Sequence, residues 1–146
     1  MMSISSDAFE RIHRAIFSVQ RLKGIAHVVS AWMANGAMSA WEGGAVSLPD
    51  CEAAALAYFE ARPEQAALLD EYRAALQVVG QLDDAVAGFL AQGAQGDPAA
   101  LLERAGTALE AFAGVLGRLP DYPGAADDAR ALRGEAGRCL ALRQPA

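Results

Sequence analysis

Between Pro63 and Ala91 apolar residues return on two seven-residue tracks at once, and this doubled period restricts the fold more than any other feature of the chain. Leu69, Tyr72, Leu76, Val79, Val86 and Leu90 fall on a and d positions of a heptad that only Asp83 interrupts. Leu68, Ala75, Leu82 and Phe89 form the second track. A helix at the edge of a globule needs one apolar stripe. Two stripes call for neighbours on two sides, the situation inside a bundle. Elsewhere no segment alternates with period two, and nothing repeats at the roughly 20–50-residue interval of a solenoid.

The remaining elements read as helices with punctuated ends. Phe9, Ile12, Ile16, Val19, Leu22, Ala26, Val29 and Met33 step by threes and fours from an Asp7 cap to the Asn35-Gly36 stop. On this helix Asp7→Arg11 and Glu10→Arg14 are acid-first i,i+4 pairs, expected to mark its solvated face. Ser47-Leu48-Pro49-Asp50 opens a short helix, Pro63-Glu64-Gln65 a new one, and Asp97-Pro98 another. Asp121-Tyr122-Pro123-Gly124 is a turn, after which a last helix carries Gly134 and Gly137 and faces inward with Ala125, Ala129, Leu132, Ala136 and Cys139. Alanine supplies 34 of the 146 residues, which favours helices packed closely through small side chains. The expectation is an all-α, four- to five-helix antiparallel bundle forming a single domain over residues 1–146, with helices at about 7–34, 48–61, 63–91, 98–119 and 125–143.

Charge narrows the function. Residues 1–48 balance at +1, whereas residues 49–146 carry eight arginines against fifteen acids. An acidic body does not hold phosphates by simple electrostatics, so nucleic acid is not an expected partner. Gly24 to Trp41 is free of formal charge, but His27, Ser30, Asn35, Gly36 and Ser39 interrupt it too often for a membrane span. The first residues lack the basic and apolar regions of a signal peptide, and Cys51 and Cys139 form no CxxC pair, so reduced thiols in the cytoplasm are expected. Eleven arginines against the single Lys23, together with the alanine, suggest a GC-rich bacterial or phage genome.

Motifs for chemistry are lacking. Glu10-x-x-His13 has the spacing of a di-iron helix, but no second such motif follows, and His27 lies about 21 Å along the axis from His13. No HExxH, GxSxG or phosphate-cradling glycine loop is present, so no cofactor, metal or catalytic residue is expected. Three features remain. Trp32, Met33, Met38 and Trp41 concentrate both tryptophans and half the methionines around a helix break, a composition suited to a protein interface or to the core at one end of the bundle. Asp83 is expected to be solvated beside a buried Leu82; the alternative is a buried contact with Arg130, Arg133 or Arg138. With His27 and Tyr72, Asp83 would be a polar handle if the bundle enclosed a ligand cavity. The sequence thus reads as a non-enzymatic protein acting by protein–protein contact, with a homodimer expected, through residues 32–41 and exposed parts of the first helix. A small-molecule-binding bundle is the rival.

Overall fold

The structure is a computed structural model that describes residues 6–34, 48–93, 97–119 and 121–143. Five helices carry it: α1 (Ser6–Met33), α2 (Leu48–Glu60), α3 (Ala66–Ala91), α4 (Ala99–Leu116) and α5 (Ala125–Leu142). No strand occurs among the described residues, and the fold is all-α. The expected Asn35-Gly36 stop, the Ser47 cap, Met38 and Trp41 lie outside the described residues, as does the side chain of Asp7.

Consecutive α3, α4 and α5 pack side by side, and α1 lies across all three, against α4 as well as α3 and α5. Opposed pairings fix the directions: Ser30 meets Tyr72 and Lys23 meets Asp83 across α1 and α3, and Arg11 meets Leu142 while Ser18 meets Glu135 across α1 and α5. Both pairs are antiparallel, and α4, antiparallel to α3 and α5, runs parallel to α1 and packs directly against it. The short α2 packs on α1 and α3 at one end.

Both tracks of α3 are used. Leu68, Tyr72, Ala75, Leu76, Val79, Leu82 and Val86 are all buried. They join Leu22, Leu102, Leu109, Phe112, Leu116 and Leu132 in one continuous apolar cluster, each large side chain contributing about 1.5–3 kcal/mol on leaving water. Pro63 does not open α3 directly. Pro63–Gln65 form a single 3₁₀ turn, and the α-helix starts one residue later. Gly93, at φ 77°, ends α3 in the left-handed conformation that a side chain would resist. Asp97 behaves as a start signal, its carboxylate accepting the Ala99 N–H at 3.1 Å.

α4 and α5 approach most closely where side chains are smallest. A methyl group built on Gly106 would lie 2.7 Å from Leu140 Cγ and 3.3 Å from the Ala136 carbonyl oxygen. Here the alanine-rich composition has its structural consequence, since the glycine lets Leu140 lie against the backbone of α4.

Candidate functional site

The face that α1 buries differs from the expected stripe in its first half. From Val19 onward the two coincide, with Val19, Leu22, Ala26, Val29 and Met33 buried and Ile16 packed partly buried against the core. Towards the N-terminus the buried track runs instead through Arg11, Ala15 and Ser18, while Phe9 is 62% and Phe17 47% exposed. The expected solvated face therefore requires correction. Arg11 is buried because its guanidinium caps the exit of α5, donating to the Leu142 carbonyl at 2.8 Å and the Arg143 carbonyl at 2.9 Å. It also pairs with Asp97 at 2.8 Å, joining the start of α4 to the same point. Unpaired carbonyls at a helix end are a favourable place for a cation.

Beside this cap lies a charged cluster that no sequence pattern singled out. Glu135 of α5 is 1% exposed. Its Oε1 accepts from Ser18 Oγ at 2.7 Å and from Arg14 at 2.9 Å, while Oε2 accepts two bonds from Arg138, at 2.7 and 3.1 Å. Burial pushes this carboxyl upward, but the bonds from Ser18, Arg138 and Arg14 outweigh it and bring it down to about 2. Ser18 also lies 3.0 Å from Cys139 Sγ. Burial raises the Cys139 thiol above its ordinary value, as it does that of Cys51, so both thiols are protonated near neutrality. A saturated carboxylate and a protonated thiol are poor as base or nucleophile. The cluster's chemistry is that of a fastener between α1 and α5.

The sequence-selected residues do not converge on one site. Tyr72 is fully buried, its hydroxyl 2.7 Å from Ser30 Oγ and its ring tilted against Phe112. Desolvation raises its pKa. His27 is buried. Asp83 is 45% exposed and pairs at 3.2 Å with Lys23 of α1, not with an arginine of α5, because α1 is the neighbour on that side of α3. None of the three lines a described groove. Met33 is 6% exposed and packs in the core cluster at this end of the bundle. Trp32 is half-buried at the end of the bundle, its ring 5.1 Å from Tyr58 and 5.3 Å from Tyr122. Among the described residues no three His, Cys, Asp or Glu side chains are grouped as metal ligands, and no helix is long and apolar enough to cross a membrane.

Two surfaces stand out from the polar exterior. On α1, Phe9, His13 and Phe17 stack as a ladder with ring centroids 5.9 and 6.0 Å apart, and Arg14 lies 6.0 Å from the Phe17 ring. Between α3 and α4, on the side away from α1, an open groove of about 770 Å³ has a floor of small residues including Ala74, Val78, Thr107, Ala111 and Gly114. Glu71 and Arg118 close one end of it with a 2.6 Å ion pair. The chain matches no protein-family model, and no curated protein or solved structure matches it at a significant level.

Proposed function

We propose that this chain is a non-enzymatic bacterial or phage protein of the cytoplasm that works by protein–protein contact, as an adaptor, chaperone, inhibitor or self-associating scaffold. Its contact surface is the outer face of α1. The observation that carries this reading is the Phe9–His13–Phe17 ladder, in which both phenylalanines are about half or more exposed although buried positions on the same helix hold Arg11 and Ser18. Apolar aromatic area held outward while charge goes inward is the reverse of what stability alone favours, and it is what an interface uses. Leu90, 47% exposed, is a further outward apolar side chain at about the same level: it lies two turns beyond Asp83 on α3, level with Ile16, two turns before Lys23 on the antiparallel α1.

A second copy of the chain is the simplest partner. Two α1 helices meeting about a two-fold axis would set the same face against itself and shield four phenylalanines. Light scattering coupled to size exclusion at several concentrations tests this. The unmodified protein should dimerise, and the Phe9→Ser, Phe17→Ser double variant should be monomeric with its melting temperature nearly unchanged. An oligomer indifferent to both substitutions would overturn the assignment of the surface. The expectation that Trp41 adds to it predicts that Trp41→Ala weakens association and leaves the melting temperature alone; a large loss of stability would make Trp41 core.

A further inference from the structure

At the end of the bundle, Trp32, Met33, Ala34, Ala57, Tyr58 and Arg62 line a notch of about 390 Å³, within the size range of small-ligand sites. Two polar groups there are unmatched. Arg62 lies over the Tyr58 ring, its guanidinium carbon 3.8 Å from the centroid, and spends one N–H on the Tyr58 carbonyl at 3.0 Å. It makes no ion pair among the described residues. Tyr58 is 5% exposed, yet its buried hydroxyl has no hydrogen-bond partner among the described residues. An unpaired buried hydroxyl is costly, and an unneutralised guanidinium against an aromatic wall is a ready partner for a carboxylate.

We infer that this notch binds a small aromatic carboxylic acid, with Arg62 holding the carboxylate and Trp32 the ring. The charge of Arg62 argues against a cationic ligand despite the clustered aromatics. The carboxylate is specified by Arg62's unspent donors; the Tyr58 hydroxyl, closed off from solvent in the ring that Arg62 covers, gains an acceptor only if the ligand uncovers it. Glu64 and Asp121 act on Tyr58 from nearby, but among the described residues neither forms an ion pair with Arg62. The ring is specified by the half-buried Trp32 and by Met33, whose thioether suits contact with a flat apolar body. This site does not depend on the ladder of α1.

Calorimetric titration with phenylacetate and with its neutral counterpart phenylacetamide tests the inference. Phenylacetate should saturate one site per chain, and phenylacetamide should bind at least ten-fold more weakly. Arg62→Gln should reduce phenylacetate affinity at least ten-fold and Arg62→Lys less, while Tyr58→Phe should cost about three-fold, a fraction of the roughly ten-fold that 1.4 kcal/mol represents. Melting curves establish that each variant is folded. Equal binding of acid and amide to the unmodified protein, which needs no variant, would overturn the inference. So would full affinity in Arg62→Gln, or no saturable binding of phenylacetate.

Discussion

Replacing Glu135 by Gln preserves the side chain's size while removing the charge that Arg14 and Arg138 face. Breaking a buried pair costs more than its net contribution, because the partners are left uncompensated. Arg138 is half-exposed and can rehydrate, so the expected loss is about 2–3 kcal/mol, read from urea unfolding. The Lys23–Asp83 pair is the contrasting case. Both side chains are more than a third exposed, and Asp83→Ala should change stability by less than about 0.5 kcal/mol. A larger loss would place Asp83 in a stabilising network. Asp83 is the visible anomaly in the sequence because it interrupts a heptad, and it is a half-exposed partner of Lys23. Glu135 was invisible because it borders an ordinary small-residue stripe, and its partners Arg14 and Ser18 are 121 and 117 residues away. The available hint was that Arg11, Ala15, Ser18 and Leu22 also form a continuous helical track.

At the scale of the element, periodicity located all five helices, since an apolar repeat of three and four residues has few other uses. It assigned the inward face of α3 well, where two dense tracks leave little choice. On α1 it placed Val19 and Ile16 towards the core but missed at Phe9 and Arg11, because it ranks Phe above Arg for burial and cannot count carbonyls awaiting a cap on another helix. Glycine tells a similar story. Gly134 and Gly137 look equally costly within α5, and Gly106 within α4 looks the same. The surroundings differ: a methyl group on Gly137 meets nothing within 4 Å, whereas one on Gly106 collides with Leu140. Gly137→Ala should therefore raise stability by about 0.5–1 kcal/mol through helix propensity. Gly106→Ala should lower it by about 1–2 kcal/mol, because overpacking exceeds the same gain. Thermal melts of the two single variants check both signs.

For the whole molecule, the depressed Glu135 carboxyl links folding to acid. As pH falls below about 4.5, the ordinary value, the unfolded chain takes up this proton first; the folded state takes it up only near 2. Stability is thus fully present above about 4.5 and declines between 4.5 and 2. Its contribution is on the order of 3 kcal/mol, and Glu135→Gln should flatten that part of the pH profile. Both thiols are buried and protonated, so a thiol reagent should react slowly with the native protein and count two cysteines once it is unfolded.

The fastening of α1 to α5 also sets an order of events during synthesis. The carboxylate that accepts from Arg14 and Ser18 and the carbonyls that Arg11 caps are made more than a hundred residues later. At roughly 5–20 residues per second, the first helix waits on the order of ten seconds for them. Throughout that interval its aromatic ladder and its three polar anchors are all unpartnered, and α3 and α4 can pair before α1 is locked in place. A ribosome stalled before Glu135 would hold a chain whose first helix can already rest on α2, α3 and α4 while its N-terminal half is still unfastened.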